Sequence, residues 1–208
     1  MKSLIKILSK NKYFYLTVAV LTLIEGSALL LSNKANVTLW VNTHWSSFID
    51  ESVLDVNAIG STFFSIVVVV FLWIEQGFRP ALKATVCFMA VMLITQFTKH
   101  ILFPGSIRPT LYFEEGTLRL LGVKQLTTES FPSGHTAASF AIATFFALTG
   151  TNKKLHWVFA LLAFAVSYGR LYMSQHFITD VFAGMLIGVI VTSLIYIYYP
   201  EKWDQPVT

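Results

Sequence analysis

The sequence predicts an all-α, polytopic membrane protein with six transmembrane helices and one or two short interfacial helices in its outer loops. Three observations carry this. The 208-residue chain is 55% hydrophobic and only 12% charged, far below the charge content of an ordinary soluble domain. Apolar windows long enough to cross a bilayer recur along it. Its lysines and arginines fall unevenly among the segments that join those windows, a bias that orients a spanning chain.

The first window, about 13–33, follows Lys2, Lys6, Lys10 and Lys12. A basic stretch before an apolar run also opens a secretory signal, but this run of about 20 residues lacks a clear small-residue cleavage site and reads as an uncleaved span. The second and third windows are about 57–78 and 81–103. The fourth and fifth, about 135–151 and 155–173, are short and interrupted by polar residues, and the sixth covers about 177–199. No linker, low-complexity tract or fixed-period repeat divides residues 1–208, which are expected to form a single domain.

An even number of spans puts both termini on one side. Lys2, Lys6, Lys10, Lys12, Arg79, Lys83, Lys153, Lys154 and Lys202 fall on that side, against Lys34, Lys99, Arg108, Arg119, Lys124 and Arg170 on or near the other, nine to six. With Lys99, Arg108 and Arg170 reserved for a ligand the bias is nine to three, so both termini are expected in the cytoplasm. Segments 34–56 and 104–134 then face outward, carrying Trp40, Trp45 and Phe48 in one and Tyr112 and Phe113 in the other, aromatic residues suited to a membrane interface. The net charge of +4 is scattered rather than gathered into a stripe, which argues against a nucleic-acid partner. Cys87, the only cysteine, rules out an intrachain disulfide and a thiolate metal cluster.

Ionisable residues collect at the outer ends of the spans: Lys99 and His100 close the third, Arg108 follows, His135 opens the fourth, Arg170 ends the fifth, and His176 and Asp180 begin the sixth. Such groups beside hydrocarbon are costly and point to function. Lys99, Arg108 and Arg170 have no comparable set of carboxylates to neutralise them, so a multiply charged anion is expected to complete the site, and phosphate suits the planar donors of arginine. Pro132-Ser133-Gly134 leads into a helix whose free amides and dipole favour an anion. Gly134 lets a ligand approach the backbone, and Ser133 can cap the helix and offer a hydroxyl. His176 and Asp180 lie one helical turn apart, so the carboxylate can hold one ring nitrogen protonated and leave the other free as a nucleophile. His135 is then the general acid for the departing oxygen. His44, His100 and His156 read as interfacial or capping residues. Glu25, in mid-span, is expected to pair with another helix or line a path for lipid, and Glu75 to be solvated.

Lys99 with Arg108-Pro109, Pro132-Ser133-Gly134-His135, and Arg170 with His176 and Asp180 together resemble the three-part signature of the type 2 phosphatidic-acid phosphatase superfamily, which includes the vanadium haloperoxidases. Two departures stand out. Eight residues separate Lys99 from Arg108, more than the family usually has, and Gly169 precedes Arg170 where the family normally has serine. The resemblance implies that Lys99, Arg108, Ser133, Gly134 and Arg170 hold phosphoryl oxygens, that His176 forms a phosphohistidine, that Asp180 orients it and that His135 is the acid. It implies no metal and no cofactor. The expected protein is an integral inner-membrane lipid phosphatase working at the periplasmic face. Its substrate would be undecaprenyl pyrophosphate, lipid A, phosphatidylglycerol phosphate or phosphatidic acid, with 104–134 as the specificity element. A vanadate-dependent haloperoxidase and a lipid-phosphate carrier without hydrolysis are the alternatives. Oligomeric state is not legible.

Overall fold

The computed structural model describes residues 4–199. Lys2 and Lys202, which entered the charge count, lie outside them. The described residues form helices, turns and irregular loops without a strand. Helix α1 (Leu4–Lys10) breaks at Asn11, and α2 (Lys12–Leu31) follows. The next three helices each start at a polar cap, where a side-chain oxygen meets one of the amides a helix start leaves free. Asn33 takes the Asn36 N–H at 2.8 Å to open α3 (Lys34–Thr43). Ser46 takes the Ile49 N–H at 3.3 Å to open α4 (Ser47–Asn57), and Ser61 the Phe64 N–H at 3.1 Å to open α5 (Thr62–Gln76). Gly77, at φ 87°, takes the left-handed turn into α6 (Phe78–Phe97). That helix ends in a π turn over Thr98–Leu102. A single turn, α7 (Pro109–Tyr112), interrupts the long segment 104–133 before α8 (Gly134–Thr149), α9 (Trp157–Tyr172) and α10 (Ile178–Tyr198).

Each of the six apolar windows thus holds a helix, and the protein is a multi-pass membrane protein. Four stretches are long and apolar enough to cross a bilayer: Lys12–Leu31, Phe78–Leu102, Lys153–Tyr172 and Ile178–Tyr198. Ser47–Gly60 and Thr62–Gln76 pass together as a pair bent by 58°. Helix α8, at 16 residues, is shorter, about 24 Å against a hydrocarbon thickness of about 30 Å. Its length follows from its place. Phe140, Ala141, Phe145 and Ala147 are fully buried on different sides of it, and a helix that is apolar all round belongs inside a bundle, with protein rather than lipid over its ends. Segment 34–56 folds into two helices rather than one, with Trp40, Trp45 and Phe48 exposed on them and on the turn between them. Glu25, expected to pair with another helix or line a path for lipid, is buried in α2 with neither carboxylate oxygen hydrogen-bonded among the described residues.

What positions the site is the fit of α8 on α10. A Cβ at Gly184 would lie 2.6 Å from the Ser133 carbonyl oxygen, and one at Gly188 would lie 2.5 Å from that of Ala137. Two glycines four apart therefore let the backbones touch, the small-residue contact by which helices associate in lipid. The Ser133 N–H reaches the Asp180 carbonyl at 2.9 Å, so the first turns of the two helices share a hydrogen bond. At the other end Ile7, Leu148 and Tyr196 pack together, placing the basic amino-terminal stretch away from the cluster at the start of α8. Substituting Gly188→Leu is expected to separate α8 from α10 at a cost of about 1–3 kcal/mol or more. Thermal unfolding in detergent measures it, and an unchanged midpoint would show the contact to be slack.

Candidate active site

Helix α8 begins where the Ser133 Oγ accepts the Thr136 N–H at 3.4 Å. The Thr136 hydroxyl also donates to that oxygen, at 3.0 Å, and Ser133 is fully buried. Ser133 therefore serves the helix start and stands behind the cavity wall. A Cβ on Gly134 would meet only Thr95 Cγ2, at 4.0 Å, so packing does not demand glycine there. The missing side chain leaves open space over the first turn of the helix. His135 follows, half-buried, its backbone pressed by Gly60, where a Cβ would come within 2.6 Å of the His135 carbonyl.

After α9 the chain reverses through Ser174, at φ 55°, and the Gln175 and His176 N–H groups return to the Arg170 carbonyl at 3.0 and 3.3 Å. This turn puts His176 against Arg170 before α10 begins. The His176 Nδ1 faces Asp180 Oδ2 at 3.4 Å, and its Nε2 faces Arg108 Nη1 at 3.3 Å. A guanidinium can only donate and an ionised carboxylate can only accept, so the proton belongs on Nδ1 and the lone pair on Nε2. Burial, opposed by the hydrogen bond to Asp180, pushes the His176 pKa down to about 3 and keeps the ring neutral. Asp180 Oδ2 is itself held by the Ser130 hydroxyl at 2.5 Å and the Phe177 N–H at 2.9 Å.

The three cations converge from three segments. Lys99 sits in the π turn with its Nζ 2.5 Å from the Glu129 carbonyl oxygen, and Arg108 Nη2 donates to that same oxygen at 3.0 Å. The long spacing between them in sequence therefore does not part them in space. Arg108 also donates to the Thr128 and Gln175 carbonyls at 2.8 and 2.7 Å. Arg170 reaches Gln175 Oε1 at 3.5 Å, while its Nε is buried without a partner. Lys99, Arg108, Gly134, His135, Arg170 and His176 all line one cavity of about 470 Å³. Beyond them it runs between α5 and α6, past Ile66, Val69, Phe88, Met89 and Met92. Glu25 is not part of its lining.

Three contributors escape sequence reasoning: Ser130, Glu129 and Gln175. Ser130 acts through its hydroxyl on Asp180, but Glu129 and the main chain of Gln175 act through carbonyl oxygens, which every residue type carries. Segment 126–131 is brought to them by backbone pairing with 106–110, through Arg108 N to Thr127 O at 2.8 Å and Ser130 N to Ser106 O at 2.9 Å.

Comparison with known proteins accords with this geometry. The family described as the PAP2 superfamily matches residues 80–204, which hold every cation and both histidines of the cavity. The chain belongs to the PAP2 superfamily. This PAP2 protein is 40% identical over 120 residues to the probable lipid phosphate phosphatase 4 of Arabidopsis thaliana, an alignment covering 50% of the chain and 39% of that protein. It is 34% identical over 76 residues to the lipid A 4'-phosphatase of Porphyromonas gingivalis, covering 35% and 32% respectively. The matches thus span only 39% and 32% of these relatives' lengths. The crystal structure of Aquifex aeolicus LpxE superposes with a TM-score of 0.69 at 27% identity, over 77% of this chain and 93% of that one.

In this PAP2 member the depressed His176 pKa has a direct consequence. Nitrogen-15 NMR of histidine-labelled protein should show His176 as the neutral Nδ1–H tautomer at about pH 5, below the ordinary imidazole value of about 6.5. A ring that titrates near that ordinary value would overturn the assignment.

Proposed function

We propose that this protein is a lipid phosphatase in which His176 is the nucleophile, Asp180 orients it and His135 protonates the leaving oxygen. The observation that carries the reading is the His176 ring, with Nδ1 on a carboxylate and Nε2 turned to a buried arginine in a cavity lined by two further cations. A phosphoryl group entering there draws Arg108 from Nε2 onto its own oxygens and leaves the Nε2 lone pair facing phosphorus. Nε2 attacks in line as the bond to the lipid oxygen breaks, and His135 supplies the proton that oxygen needs. Lys99, Arg108, Arg170 and the amides at the start of α8 hold the charge on the equatorial oxygens. Water, activated by His135 as it takes a proton back, then attacks phosphorus and frees phosphate from His176. Ser133 supports this indirectly, as the cap that fixes the helix start.

The substrate class follows from the rest of the cavity. Its apolar arm between α5 and α6 suits a hydrocarbon chain, so a phosphate monoester or pyrophosphate of a lipid fits better than a soluble ester. Undecaprenyl pyrophosphate, lipid A, phosphatidylglycerol phosphate and phosphatidic acid all qualify. Six crossings in one domain, both termini in the cytoplasm and the cavity at the periplasmic face of the inner membrane complete the proposal. The basic residues at the Ile7–Leu148–Tyr196 end of the bundle support that orientation. With three cations on the phosphoryl group, the reaction is proposed to run without metal.

His176→Ala and His135→Ala should each lower phosphate release from lipid in micelles by about 10²–10⁴-fold or more while leaving thermal unfolding unchanged. Near-normal release by either folded variant would refute the mechanism. Wild-type release should persist in excess chelator, and a rate abolished by chelation and restored by a divalent ion would refute the metal-free reading. Lipid movement across proteoliposomes without phosphate release would favour a carrier instead.

A further inference from the structure

Gly169, directly before Arg170, is packed in a way that singles out a residue on another helix. A Cβ at Gly169 would fall against Asn57 Nδ2 and lie 2.9 Å from Val53 Cγ2. Asn57, the last residue of α4, is buried and so occupies the space a side chain at 169 would take. Its Nδ2 donates to the Val53 carbonyl at 2.8 Å, which fixes the plane of the amide and turns Oδ1 away from Val53. That Oδ1 is buried without a partner, and so is Arg170 Nε. Buried polar groups are almost always hydrogen-bonded, and each exception asks for an explanation. Here one orphan accepts and the other donates, and Asn57 packs on Gly169, the residue directly before Arg170.

We propose that Asn57 is a positioning residue for Arg170: it supplies from α4 the polar side chain that Gly169 lacks, and its Oδ1 accepts the Arg170 Nε–H when a bound phosphoryl group draws the guanidinium into its working pose. The inference deepens the phosphatase reading, resting on it only in taking Arg170 as a phosphate ligand. Gly169 and Asn57 then form an exchangeable pair, in which only one of the two positions can carry a side chain.

The test is titration of the purified full-length protein with inorganic phosphate by calorimetry, alongside lipid hydrolysis and thermal unfolding. Asn57→Ala is expected to weaken phosphate binding by about fivefold or more with an unchanged unfolding midpoint, and to add nothing further in an Arg170→Lys background, which has no Nε–H to position. Gly169→Ser alone should be destabilised, and Gly169→Ser with Asn57→Ala should recover both stability and phosphate affinity. If Asn57→Ala does not fold, Asn57→Leu, closer in volume, carries the same expectations. Unchanged phosphate affinity, effects of Asn57 and Arg170 that simply add, or a fallen midpoint with affinity intact would each overturn the proposal. A wild-type protein that binds phosphate and shows this coupling but hydrolyses no lipid would overturn the phosphatase reading and leave the role of Asn57 standing.

Discussion

Burying three permanent cations at one end of a lipid-embedded bundle is the constraint to which the rest of the structure answers. Lys99, Arg108 and Arg170 are each at most 9% exposed. Among the described residues none of them forms an ion pair with a carboxylate. A buried charge without a partner is strongly destabilising, and the fold offsets this with main-chain dipoles. The carbonyls of Thr128, Glu129 and Gln175 point at the guanidinium and ammonium groups. Carbonyls offset part of the penalty, and in the proposed reaction a phosphoryl anion would meet the remainder.

Much of the irregular segment 104–133 can be understood as the support for those carbonyls. It is tied to α3, α4 and the turn after α9 by a few directed contacts. Arg119 makes a two-pronged pair with Asp50, which also accepts from the Tyr172 hydroxyl at 2.5 Å. Asn42 exchanges two hydrogen bonds with the Arg119 backbone, at 2.8 and 2.9 Å, and reaches the Ser174 hydroxyl at 3.1 Å. One amide side chain thus joins α3, the long segment and the turn that carries His176. Gln175 adds a second tie, donating to Gln125 Oε1 at 2.6 Å.

The charged and imidazole side chains that line the cavity were legible in the sequence, because a histidine, lysine or arginine beside hydrocarbon has few reasons to be there. The positions of the helices were legible for the same reason, since apolar runs do not hide. The shortness of the α8 run was legible as well, but its enclosure was not: nothing local distinguishes a run surrounded by protein from one facing lipid. Glu129 and the main-chain part of Gln175 were invisible in principle, since any residue carries a carbonyl and only the fold decides which ones point inward. The Ser130 hydroxyl could have been named only by knowing that segment 106–110 pairs with 126–131. His100, expected to be an interfacial or capping residue, is exposed at the helix end and also faces Glu129 Oε2 at 3.4 Å.

The glycine contact between α8 and α10 separates two tasks. Both imidazoles and the carboxylate hang from this tightly seated pair or the turn beside it, whereas the hydrocarbon arm of the cavity is walled by α5 and α6, which meet α8 without such interlock. If the proposed chemistry holds, substitutions in the α5–α6 wall can reshape the room for a hydrocarbon chain while the imidazoles and the carboxylate keep their spacing.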